Sequence, residues 1–243
     1  MRFVPLLFLL LAACAEPPPT PLSATEAAER DSILALLGAL DPDDLTRAFA
    51  RLGAAPHVLE TQVEQLGADG TLLASRTRTT QHTADGVTMV STDSAGAFAF
   101  GAFGGEAVWR AALDEPPVAP RLPADAPWLD ARGREAFRFG TAPDTLLGDR
   151  PVRVLTVEAR PGEGDGQPLR SARLYLDPET EALVGFRLRR VMDAVLFGET
   201  TASSVLLHPG PDGWRPYRTH VETMLGAPLA TPRRLRLTRR YAY

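Results

Sequence analysis

SARLYLDPETEALVGFRLRRV, residues 171–191, is the stretch on which the fold turns. Leu174, Leu176, Val184, Phe186 and Leu188 alternate with Arg173, Tyr175, Arg187 and Arg189. That period of two gives each of two strands one apolar and one wet face. Asp177-Pro178-Glu179-Thr180 has turn chemistry, so the spacing predicts an antiparallel hairpin. Outward from it, further strands are expected near residues 135–140, 151–159, 200–208, 215–225 and 233–242, punctuated by Gly, Pro and Asp clusters. Upstream, from about His57, the turn signals Ala68-Asp69-Gly70 and Ala84-Asp85-Gly86 separate extended runs. The whole reads as an antiparallel meander.

Before the strands, the pattern changes to a helical period. Ser23-Ala24-Thr25-Glu26 fits a capping box, and Ile33, Leu36, Leu37 and Leu40 recur on one helical face. A second helix follows, with Asp41 as cap, Pro42 at its first position, Leu45, Phe49 and Leu52 as its stripe, and Gly53 as its end. The fold class expected is therefore α+β, with a helical hairpin ahead of the strands. Two proline-rich connections, residues 114–127 and 160–168, are long enough to be lids or exposed loops.

The first residues carry a different signal. Leu11-Ala12-Ala13-Cys14 follows the apolar run Phe3–Leu11 and one positive charge at Arg2, and Cys14 is the only cysteine. The run is too short to span a bilayer, and it ends in the small residues a signal peptidase requires. Residues 1–13 read as a lipoprotein signal peptide, and Cys14 as the residue that takes up acyl chains. At roughly 0.8 kcal/mol per buried methylene, two or more chains hold a protein firmly at a membrane. Residues 14–22 form a proline-rich tether and residues 23–243 one domain. Ala15 in place of Asp favours the outer membrane, facing the periplasm.

Composition narrows the partners. The 243 residues carry 26 basic side chains, all arginine, against 30 acidic ones, a net charge of −4 that argues against nucleic acid as a partner. With its thiol acylated, the chain has none left for disulfides or thiolate–metal ligation. His57, His82, His208 and His220 lie on separate segments outside any metal-binding spacing, and Ser203 and Ser204 lack a nucleophile-elbow pattern. No metal, no cofactor and no enzymatic activity are expected, and a monomer is favoured.

Three segments carry a resemblance. Gly148-Asp149-Arg150-Pro151-Val152-Arg153-Val154-Leu155, Leu174-Tyr175-Leu176-Asp177-Pro178-Glu179-Thr180 and Gly213-Trp214-Arg215-Pro216-Tyr217 resemble strand and turn motifs of the LolA-like, LolB-like and LppX-like lipoprotein-carrier and lipid-binding families. The resemblance implies a strongly curved antiparallel half-barrel, an incomplete barrel, with the helical hairpin packed on its concave side. It also implies a dry concavity that takes a lipid or the acyl chains of a lipoprotein. The lining expected for it is Phe98, Phe100 and Phe103, in a run otherwise of Gly and Ala, together with Leu174, Leu176, Phe186 and Leu188 from the apolar strand faces. The competing reading is a non-catalytic structural or interaction lipoprotein whose concavity is filled, since the same residues serve equally as core. The polar strand Thr71–Thr83, with Arg76 and Arg78, reads as a sheet edge or an anionic headgroup contact. Arg233, Arg234, Arg236, Arg239 and Arg240 read as a solvated basic face.

Overall fold

The computed structural model describes residues 23–98, 113, 122, 126, 131–162, 167–194, 197–226 and 232–243. Helix α1 spans Ala24–Ala39 and α2 Asp44–Ala50, followed by a 3₁₀ turn at Arg51–Ala54. Strands β1 (His57–Leu66), β2 (Leu72–Thr83) and β3 (Gly86–Ala95) precede the short helix α3 (Ala131–Glu135). The meander β4 (Phe137–Leu147), β5 (Arg150–Ala159), β6 (Leu169–Leu176), β7 (Leu183–Ala194), β8 (Phe197–Gly210), β9 (Gly213–Gly226) and β10 (Arg233–Ala242) completes the chain.

All ten strands join in one antiparallel sheet ordered β3-β2-β1-β10-β9-β8-β7-β6-β5-β4, open at β3 and β4. The meander expected from residue 135 onward is present, and the hairpin read from residues 171–191 is β6–β7, with Leu174 opposite Phe186 and Arg173 opposite Arg187. The two ends of the strand sequence meet mid-sheet, where β1 pairs β10 from Val58↔Ala242 to Leu66↔Arg234.

The capping box is formed: Glu26 N–H donates to Ser23 Oγ at 3.3 Å, and Ser23 N–H donates back to the Glu26 carboxylate at 2.8 Å. Two local expectations are corrected. The regular turns of α2 begin two residues later than expected, so Asp43 holds the N-cap position without a side-chain cap bond, while Asp41 accepts the Asp43 N–H at 2.9 Å, as a cap two residues ahead does, and pairs with Arg47 at 2.8 Å. β2 is not an edge: it pairs with β1 on one side and β3 on the other, and the fully exposed β3 takes the edge position. The turn at Asp85-Gly86, with Gly86 at φ +132°, returns the chain for one more strand beside the polar one.

One buried cluster joins helices and sheet. Ile33 and Leu37 of α1 and Leu45, Ala48 and Phe49 of α2 belong with Phe137, Leu155, Leu174, Phe186, Val205 and Tyr241. Phe49 meets Tyr241 edge to face at 5.9 Å. The helix–sheet tie is also polar, since the Leu183 N–H at the start of β7 donates to Asp44 Oδ2 at 2.8 Å.

Candidate ligand-binding face

The buried face of the sheet has two regions of different character. Across β4–β8 its rows are apolar: Val157, Ala172 and Leu188 in one, Leu155, Leu174, Phe186 and Val205 in the next. Leu174, Leu176, Phe186 and Leu188, expected as cavity wall, retain 0%, 1%, 2% and 6% of their exposure within the main cluster. At that burial they make core contacts on all sides.

Beyond β8 the same face opens. The row through Leu188 continues to Ser203, Val221, Leu237 and Val63. Val63 and Leu113 form a second buried cluster, separate from the first, with Phe98 and Leu237 packed on it. Val221, between the two clusters, is 38% exposed. Arg78 reaches this cluster by donating from Nη1 to the Leu113 carbonyl at 3.1 Å, and neither its guanidinium nor that of Arg76 is free. Of the expected aromatic lining, Phe98 thus sits beside Val63. Phe100 and Phe103 lie outside the described residues, as do Cys14 and its tether.

A cavity of about 240 Å³ lies elsewhere, where the α1–α2 junction meets the β6–β7 turn. Asp41, Asp44, Arg47, Thr180 and Glu181 contribute to its wall. It is smaller than the roughly 300–1,000 Å³ of ligand pockets, and its charged wall is wrong for an acyl chain.

The β6–β7 turn is built on Asp177, which is 3% exposed. Its Oδ1 accepts the Glu179 N–H at 2.9 Å, and its Oδ2 accepts the indole N–H of Trp214 at 2.6 Å, binding the turn to the start of β9. Arg150 adds a cation 3.8 Å from Oδ2 and 5.8 Å from the Trp214 ring. Burial opposes ionisation of Asp177. The hydrogen bonds from Trp214, Glu179 and Thr180 and the Arg150 charge outweigh it and hold the carboxyl below its usual range. The aspartate of the LDPET motif is therefore a structural clamp.

Two histidines that look unrelated in sequence are brought together. His57 and His82 are opposite in the β1–β2 register and stack with ring centroids 4.5 Å apart. His57 Nδ1 lies 2.9 Å from the Ala55 carbonyl and His82 Nε2 3.0 Å from Thr80 Oγ1. Burial, then the neighbouring His57, pulls the His82 pKa down. Among the described residues no group of three or more His, Cys, Asp or Glu could hold a metal.

The C-terminal arginines are mostly engaged. Arg236 bridges Glu222 at 2.9 Å and Glu64 at 3.3 Å, Arg234 meets Glu222 at 3.5 Å, and Arg240 pairs with Glu60. This stitches β1, β9 and β10 together on the face opposite the core.

No family model and no curated protein matches the sequence. Among solved structures, the chain is similar to an outer membrane lipoprotein-sorting protein domain from Vibrio parahaemolyticus (12% identity, 87% of this chain and 93% of that one, TM-score 0.27). It is similar also to a DUF1329 family protein from Desulfovibrio piger (8% identity, 89% and 91%, TM-score 0.27). A third is a LolA superfamily protein from Nitrosomonas europaea (10% identity, 88% and 92%, TM-score 0.24).

Proposed function

We propose that this chain is a lipid-anchored envelope protein, held at the outer membrane through Cys14, that binds the acyl chains of a lipid or lipoprotein against the opening part of its sheet. The observation that carries this reading is the second apolar cluster. Leu237 and Phe98, only partly buried against Val63, present apolar surface on the same face as the main core, with Val221, 38% exposed, between the two clusters. An acyl chain laid along Val221 and Leu237 would extend the core outward without displacing any sealed side chain. Leu174, Leu176, Phe186 and Leu188 then form the floor from which the site extends, and α1 and α2 close its far end.

The energetics suit transfer. Taking a chain of about sixteen carbons from water into an apolar site is worth on the order of 12 kcal/mol, whereas taking it from a bilayer is worth almost nothing. Small differences in access would decide loading and release, and no catalytic group is needed.

Photo-crosslinking of the full chain in membranes with a diazirine-bearing phospholipid tests this. Adducts are expected on peptides of β9, β10 and the segment around Phe98, and Val221→Arg should abolish them. Adducts confined to the tether near Cys14 would refute acyl binding. They would leave the second reading, a scaffold lipoprotein with a filled centre, which the near-zero exposure of Leu174 and Phe186 favours. Mass analysis of the mature N-terminus, with Cys14→Ser as control, tests the anchor separately.

A further inference from the structure

The face of the sheet opposite the core divides into two kinds of surface. On β1, β9 and β10 its arginines are matched by carboxylates: Arg236 by Glu64 and Glu222, Arg234 by Glu222, and Arg240 by Glu60. On β6–β8 and the adjoining end of β9 they are not. Arg173, Arg187, Arg189 and Arg218 line one groove of about 470 Å³, and among the described residues none of them forms an ion pair. The one carboxylate in its wall, Glu158, makes none either. This occurs in a chain with more acidic than basic side chains, 30 against 26, so the gap is not a shortage of partners.

The register makes the arrangement costly without a ligand. Arg173 stands directly opposite Arg187, Arg187 opposite Ser204, and Ser204 opposite His220, so two cations, a hydroxyl and an imidazole form one row across four strands. Like charges directly opposite one another destabilise a sheet. Arg189 lies two residues along the same face of β7, and Arg218 holds a corresponding place on β9 beside His220. The Arg218 Nε–H is buried and has no acceptor among the described residues, a donor left over in a groove whose one carboxylate is Glu158. Arginine forks and hydroxyls are the chemistry that recognises tetrahedral oxyanions.

We infer that this groove is a binding site for phosphate-bearing ligands, with Arg173, Arg187, Arg189 and Arg218 as its cationic donors and Ser204 as a hydroxyl donor. The site lies on the face opposite the acyl-binding surface and does not depend on that surface existing. The phosphate can arrive on a lipid headgroup or free in solution, and both sources present the same oxyanion to the same donors.

The test uses the full chain in a non-ionic detergent, titrated with sodium phosphate or with short-chain dihexanoyl phosphatidylglycerol below its micelle concentration. Ionic strength is matched with sodium chloride, and arginine side-chain Nε–Hε resonances and the melting temperature are followed. Saturable shifts and a rise in Tm are expected. Tighter binding of the lipid than of phosphate identifies a headgroup site, and equal binding identifies a free-phosphate site. Arg173→Gln combined with Arg187→Gln should weaken binding by at least about 10-fold. Removing the opposed charges should leave the ligand-free protein as stable as the parent or more so, so a loss of binding in this variant is not a loss of fold. Arg153→Gln, which removes the partner of Glu181 outside the groove, should bind as the parent does. Absence of saturable shifts with either ligand, or equal binding by the double variant and the parent, would overturn the inference.

Discussion

Replacing Asp177 offers the sharpest check on how the sheet is held. The carboxylate accepts two well-formed hydrogen bonds, from the Trp214 indole at 2.6 Å and the Glu179 amide at 2.9 Å. Hydrogen bonds to a charged group contribute about 1.5–3 kcal/mol each. In Asp177→Ala both donors lose their acceptor. Water reaches the turn amide of the exposed Glu179 and recovers part of that loss, so the net destabilisation is expected at about 3–4 kcal/mol. Asp177→Asn keeps an oxygen for the turn amide but sets an NH₂ against the indole N–H, donor against donor, and should cost about 1.5–3 kcal/mol. Trp214→Phe removes the other side of the same bond, so its combination with Asp177→Ala should fall short of the sum of the two single losses. Equilibrium urea unfolding of the full chain, followed by circular dichroism at neutral pH, measures the parent and the four variants. The folded-state pKa of Asp177 is lowered, so its stabilisation is complete above the ordinary value of 3.8 and is lost as pH falls through the folded value. The gap between parent and Asp177→Asn should therefore narrow in acid below about 3.8. A loss of under about 1 kcal/mol for Asp177→Ala, or strict additivity with Trp214→Phe, would refute the clamp.

Other parts of the fold carry expectations of the same kind. Phe186→Ala, at a side chain 2% exposed, should cost about 3–5 kcal/mol in urea unfolding if the ring is core, and far less if it borders an open hollow. His82 and His220 have lowered pKa values, both from burial first, His82 then from His57, and His220 then from Arg218 and Arg236 against the opposing carboxylates Glu222 and Glu64. Their unfolded forms take up protons first as pH falls below about 6.5, so stability should begin to decline there, and His82→Gln should flatten that limb of the pH profile. Gly148 opens the β4–β5 turn at φ +64°, and a Cβ there would run into the imidazole of His208, so Gly148→Ala should lower thermal stability by at least about 1 kcal/mol.

The strand periodicity was legible wherever a strand has one dry and one wet side. Residues 171–191 name their own faces because Leu174 and Leu176, then Val184, Phe186 and Leu188, recur at every second position and the turn between carries Asp-Pro. β2 was misread because both of its sides are polar, and alternation is silent about whether another strand follows. What occupies position β3 depends on the turn at Gly86 and not on any residue of β2. The start of α2 lies two residues beyond the one read from Asp41 because Asp41, Asp43 and Asp44 are chemically equivalent candidates; only Asp41 accepts the Asp43 N–H, while Arg47 pairs with both Asp41 and Asp44. Core and cavity wall are indistinguishable in sequence, since Leu174 and Phe186 would be leucine and phenylalanine in either role. The groove of arginines was half visible: Arg173, Arg187 and Arg189 were read as the wet face, but the lack of matching acids depends on β8 and β9, far along the chain.

The seam between β1 and β10 sets a timetable for assembly. Glu60 pairs with Arg240 across 180 positions, and Glu64 with Arg236 across 172, so the middle of the sheet closes only once β10 has been made. During synthesis or export, β1, β2 and β3 wait with an unpaired inner edge while the rest of the chain emerges, a condition that slows folding and invites wrong partners. A chain shortened before residue 233 would lack the keystone, leaving two half-sheets with bare edges in place of one continuous sheet. The charges along the seam serve as a latch that cannot fasten before β10 is in place.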